Sequence, residues 1–217
     1  MTTSTTQGAQ SMAARLRSET RSQHSDAESH PFQRALLTGD IARDTYALWL
    51  IQMLHVHQAL EAAIRAQESC DATLAAVVTE EQMQEQYLLE DLAFFSVSAN
   101  DESLLLDATG AVVSEIEADA DSPARLLGRH YVLEGSNNGS RFIARKVREK
   151  LTLAPGAGDR YLDPYGQEQP VKWAAFKKAL DACDIAPAVR DDMVDAAKCM
   201  FIGVRQMSDA MLDRYAH

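Results

Sequence analysis

The sequence predicts an all-α protein folded as a single-domain helical bundle. Apolar residues recur at steps of three and four almost throughout, and period-two alternation with β-branched residues is scarce. No Asn-Gly or Asp-Gly turn lies between strand-like runs. A chain of 217 residues is long enough to bury a sizeable core and short enough for one domain.

Residues 1–11 are rich in Thr, Ser and Gln and read as a disordered tail, leaving 12–217 as the domain. A first helix is expected at 12–29, where Met12, Leu16 and Thr20 step by four beside a polar strip. The second, at 41–68, carries the stripe Tyr46, Trp49, Leu50, Met53, Leu54, His57, Leu60 and Ile64. Further helices are expected at 72–97, 102–119, 123–152 and 171–182. A last one at 187–215 opens on Pro187, well suited to a first turn. Thr152 to Pro170 is irregular, with Pro155, Pro164 and Pro170 among glycines 156, 158 and 166.

The chain holds 21 Lys and Arg against 32 Asp and Glu, a net charge of −11. Between Glu61 and Asp121 there are fifteen acids and one base, Arg65, so this stretch is −14 and the remainder +3. Phosphate backbones need concentrated Lys and Arg, so nucleic acid is excluded as a partner. The acidic stretch reads as a solvated surface. The three cysteines (Cys70, Cys183 and Cys199) form no CxxC, which leaves zinc knuckles, redox dithiols and disulfide frameworks without support. No secretory signal pattern opens the chain, and no apolar run approaches the roughly 18 residues that a membrane span requires. The expectation is a soluble cytoplasmic protein with no membrane contact.

Two segments carry candidate chemistry. Arg17, Arg21, His24 and Glu28, at offsets of four, three and four, share one helical face. A carboxylate one turn from His24 can hold one ring nitrogen and leave the other for a metal, with the arginines facing an anion beside it. An ordinary surface helix with a His–Glu contact has the same pattern. His55 and His57 point about 200° apart on a helix and cannot share an ion from one face. His57, on the apolar stripe, reads as a core histidine and His30, before Pro31, as a cap or loop residue.

The second segment is Leu133-Glu134-Gly135-Ser136-Asn137-Asn138-Gly139-Ser140, inside an otherwise strong helix. Glycine costs about 1 kcal/mol against alanine there, so something should offset it. Close approach of another body to the backbone at Gly135 and Gly139 would do so. Close helix packing through small residues and a surface kink are the alternatives. Five bases follow between Arg141 and Lys150, either a solvated face or a positive surface for an acidic partner.

Together these segments resemble the heme oxygenase family over roughly residues 12–215, in its bacterial biliverdin-producing form. Leu16 to Glu28 resembles the family's proximal helix, with His24 at the axial iron ligand and Glu28 at its supporting carboxylate. Arg17 and Arg21 match basic positions near the propionates, and Tyr131 to Gly139 resembles the distal helix. Glu90-Asp-Leu-Ala-Phe-Phe95 and Ala186-Pro-Ala-Val-Arg190 fall in the family's order, and counting back from the latter puts Lys177 on a propionate contact. Animal members place an Asp after the first distal glycine; here that position is Ser136, as in the bacterial branch.

The resemblance implies a helical bundle that holds heme between the proximal and distal helices. It implies cleavage of heme b, as both cofactor and substrate, to biliverdin, carbon monoxide and ferrous iron. O2 and electrons from a ferredoxin, flavodoxin or reductase would drive the reaction, and the protein would act as a monomer or weak homodimer. His24 would ligate iron; Arg17, Arg21, Glu28, Tyr131 and Lys177 would bind heme; Gly135, Ser136, Asn137 and Gly139 would form the distal wall, with Ser136 and Asn137 holding water, or Asn138 in place of Asn137 if the helix is rotated that way. A heme carrier or sensor that leaves heme intact is the alternative. A di-iron oxidase needs a Glu-x-x-His motif, which the chain lacks.

Overall fold

The computed structural model describes residues 10–99 and 101–215, and among these there is no strand. Ten α-helices follow in order: α1 (Met12–Glu19), α2 (Arg21–Ser29), α3 (Pro31–Thr38), α4 (Arg43–Glu68), α5 (Ala72–Val77), α6 (Glu85–Phe94), α7 (Asp107–Ala118), α8 (Pro123–Leu151), α9 (Gln169–Ala182) and α10 (Pro187–Tyr215). Residues 1–9 of the expected tail lie outside the described residues, and Ser11 caps α1 by accepting from the Ala14 N–H.

Three expected boundaries differ. The first helix breaks at Thr20, whose hydroxyl donates to the Leu16 carbonyl at 2.7 Å, alongside the Thr20 N–H at 3.0 Å. Side-chain bonding of this kind bends a helix, so α2 departs from the line of α1. The stretch 72–97 is two helices, because Thr79 and Gln82 form a capping box around a short 3₁₀ turn. A helix unassigned from the sequence, α3, starts with His30 as cap and Pro31 in its first turn and stops at Gly39 in the left-handed region. Those signals were present; an eight-residue helix is too short for periodicity to stand out.

The core is one continuous cluster centred on α4, α8 and α10. Helix α8 packs closely on α10, and α2, α3 and α7 lean on α10 as well. The crossing of α8 with α10 depends on Gly128, where a Cβ would lie 2.1 Å from the Met193 carbonyl oxygen. Gly128 therefore fills the close-packing role considered for the later glycines. His57 is a satisfied core histidine: Nδ1 is 3.0 Å from Glu61 and Nε2 is 3.2 Å from the Tyr161 hydroxyl. His30 also accepts from the Phe32 N–H while its other nitrogen meets Asp209.

The acidic stretch is not wholly a solvated surface. Glu61, Asp91 and Asp119 are buried within it. Each is tied down: Glu61 accepts from His57 and the Gln84 and Glu85 N–H groups, Asp91 from the Arg160 and Tyr161 N–H groups, and Asp119 binds Arg125 and Arg129. These carboxylates anchor loops and helix ends, a role that net charge does not reveal. No helix among the described residues is long and apolar enough to cross a membrane.

Candidate heme site

Helices α1 and α2 deliver the predicted basic face. Arg17, Arg21, His24 and Glu28 are all exposed despite the break at Thr20. His24 Nδ1 lies 3.3 Å from Glu28 Oε2, and the ring meets Phe201 of α10 edge-on at 5.5 Å. With the carboxylate accepting from Nδ1–H, Nε2 keeps its lone pair for a ligand. The His24 side chain is 54% exposed, so that nitrogen is accessible. Neighbouring Arg15 is paired with Glu19 and Asp191, whereas Arg17 and Arg21 have no ion-pair partner among the described residues. Two unpaired guanidinium groups beside an accessible imidazole suit an anionic ligand with a metal centre.

Helix α8 forms the opposite wall. Burial raises the Tyr131 hydroxyl above its usual range while the charge of Arg17 opposes this, so α1 reaches electrostatically to α8. Tyr131 packs on Trp173 of α9 at 5.4 Å, and Trp173 stacks on Phe176 at 5.4 Å with a 9° interplanar angle. Lys177 Nζ sits 5.5 Å above the Trp173 ring and adds a third cation without a carboxylate partner among the described residues. Trp173 itself was not singled out from the sequence, although it stands one turn from Lys177.

The two distal glycines differ. A Cβ on Gly135 would come 3.3 Å from the Trp173 ring, whereas one on Gly139 would meet nothing within 4 Å. Packing against Trp173 of α9 accounts for Gly135 but not for Gly139, and α8 runs unbroken through both. At about 100° per residue, Ser136 and Asn138 flank this glycine face and Asn137 points away from it. Asn137 is buried, and its amide donates to Glu134 at 3.1 Å. Ser136 donates to the Leu133 carbonyl and Asn138 to the Gly135 carbonyl. The structure thus brings Gly135, Ser136, Gly139 and Tyr131 toward one side and leaves Asn137 behind it. Helical spacing left Asn137 and Asn138 as alternatives, and the burial of Asn137 favours Asn138.

Comparison with known proteins shows the family and the fold. The family model described as "Heme oxygenase" matches residues 10–210, nearly the whole chain. The chain belongs to the heme oxygenase family. A heme oxygenase from Xanthomonas campestris is 29% identical over 170 residues, 77% of this chain and 91% of that protein. Human heme oxygenase 1 is 21% identical across 96% of this chain and 74% of its own length. The solved heme oxygenase from Leptospira interrogans superposes with a TM-score of 0.84 at 24% identity, covering 93% and 99% of the two chains. Heme oxygenase-1 from Synechocystis, solved in complex with heme, gives 0.85 at 22% identity and covers 94% of each. These likenesses establish an all-α heme oxygenase fold.

The basic block at 141–150 is partly spent on internal contacts. Arg148 pairs with Asp159 and with Asp163 at 2.9 Å, holding the loop between α8 and α9. Lys146 meets Glu149 at 2.8 Å and Lys150 lies 4.0 Å from Asp40, while Arg145 is exposed.

Proposed function

We propose that this protein binds heme b between α1–α2 and α8 and cleaves it to biliverdin, carbon monoxide and ferrous iron. O2 is the oxidant, and a ferredoxin, flavodoxin or reductase supplies electrons. The observation that carries the reading is the exposed His24 side chain, its Nδ1 3.3 Å from Glu28, on the segment that also carries the exposed Arg17 and Arg21.

Heme, when bound, supplies the iron that activates O2 and the ring that is opened. His24 would hold the iron through Nε2, with Glu28 accepting from Nδ1–H and so fixing the neutral tautomer. Arg17, Arg21 and Lys177 would hold the propionates. Gly139, with nothing within 4 Å of a Cβ position, would leave the α8 backbone bare toward the bound ring, while Gly135 seats Trp173. Ser136 and Asn138 flank that backbone and are placed to hold water, while Asn137 braces the helix from within. Arg145, exposed at the start of the last turns of α8, is the basic-block residue most available to an acidic donor.

The test is titration of hemin into the purified protein, followed by reductant and catalase. A stoichiometric Soret shift, then loss of that band as a bilin absorption rises, is the expected result. No Soret shift at one equivalent refutes heme binding, and a stable ferrous oxygen complex supports a carrier or sensor instead. His24→Ala should lose turnover and the imidazole-ligated spectrum, with recovery on adding free imidazole. Wild-type turnover without imidazole would remove His24 as ligand.

A further inference from the structure

Behind the glycine face of α8 lies a carboxyl that neither the fold nor the proposed heme contacts require. Glu134 is buried, Oε1 has no hydrogen-bond partner, and Oε2 lies 3.1 Å from the Asn137 amide nitrogen and 3.0 Å from the Tyr165 hydroxyl. The same hydroxyl lies 3.2 Å from the Glu81 carbonyl. A tyrosine hydroxyl carries one proton and can donate to only one of those acceptors at a time. When it donates to Glu81, the 3.0 Å contact with Glu134 is satisfied only if Glu134 carries a proton and donates back. When Glu134 is ionised, Tyr165 turns its proton inward. The pair therefore has two proton arrangements, one for each charge state of the carboxyl.

We infer that Glu134, with Tyr165 as its link to the surface, holds and returns a proton directly behind the distal glycine segment. The inference rests on the proposed function and extends it: Glu134 is a positioning residue that acts through Asn137 and α8, and it sets the charge of the distal wall. A glutamine would satisfy Tyr165 and Asn137 without the cost of a sealed, ionisable group, so an acid at this position is informative. The groups around it leave the charge uncompensated. His130, one turn earlier, is pushed down to about 4 by burial and is neutral. Glu81 is paired with Lys172 at 2.5 Å, and Tyr87, whose ring carries Arg160, raises Tyr165 slightly. Burial pushes Glu134 up to about 7, with the bonds from Tyr165 and Asn137 opposing the rise. Both charge states are accessible at neutral pH.

Two measurements test this. In the heme-free protein labelled with ¹³C at the glutamate carboxyls, one resonance should titrate near 7, be absent in Glu134→Gln, and move to higher pH in Tyr165→Phe. A Glu134 midpoint at or below 5, or one unmoved by Tyr165→Phe, overturns the inference. In the ferric heme complex, Glu134→Gln should lower the midpoint of the pH-dependent spectral change by about half a unit, through loss of a nearby negative charge. An unchanged midpoint overturns it as well. A purely structural role would leave both titrations unmoved. If Glu134→Gln does not fold, Tyr165→Phe still identifies the resonance. Failure of the wild-type protein to bind hemin would refute the proposed function, while the carboxyl titration would still decide the inference.

Discussion

Replacing Gly139 by alanine separates the cost of folding from the requirement of the ligand. A glycine inside α8 sacrifices about 1 kcal/mol relative to alanine, because it fixes more backbone freedom and adds no contacts. Nothing lies within 4 Å of the position a Cβ would take, so the methyl meets no steric penalty in the heme-free protein. Gly139→Ala should therefore stabilise the heme-free form by about 0.5–1 kcal/mol, an increase of roughly 1–4 °C in Tm for a domain of this size. If heme binds as proposed, the same methyl would stand on the wall that faces it. Overpacking at a closed contact costs about 1–3 kcal/mol, so hemin affinity should fall roughly 5- to 150-fold. Thermal or urea unfolding reads the first number and hemin titration the second. A variant that is no more stable than wild type would refute the open-space argument. One that is more stable, yet binds and turns over heme unchanged, would show that Gly139 is not kept for ligand approach.

Gly128→Ala should act in the opposite direction. The added Cβ would lie 2.1 Å from a backbone oxygen of α10, which cannot rotate away, so a loss of about 1–3 kcal/mol in urea unfolding is expected despite the better helix propensity. A loss below about 0.5 kcal/mol would mean that α8 and α10 separate without cost. For Glu134, the folded value of about 7 exceeds the ordinary 4.5, so the folded state binds more protons between them. Its stabilising contribution is fully present below 4.5 and is lost as pH rises through 7. The difference of 7 − 4.5 = 2.5 corresponds to about 3 kcal/mol, so Glu134→Gln should gain that much on wild type between pH 4.5 and pH 8 in denaturant titrations. A stability difference that does not change with pH would be incompatible with a buried titrating carboxyl.

Legibility of the site followed the distance between partners in the chain. His24 and Glu28 lie one turn apart, so their contact could be anticipated from helical geometry, and the break at Thr20 did not disturb it. The long helices α4, α8 and α10 announced themselves by periodicity, while α3 depended on a cap and a stop over only eight residues. Asn137 was expected beside bound water but lies in the interior. Helical spacing already sets Asn137 opposite the glycine face; which side of α8 is buried is settled only by its packing on α10, where Gly128 sits against Met193.

From sequence alone came the helical class, the shared face of Arg17, Arg21, His24 and Glu28, and the anomaly of glycines inside a strong helix. All three depend on residues within a few turns of one another, where a 3.6-residue period decides who can meet. Tertiary packing decided which glycine serves the fold and which stands open, which acids are buried, and that Tyr165 reaches across 31 residues to Glu134. Those outcomes depend on desolvation and on helix rotation in the assembled core, quantities that exist only once distant segments have packed.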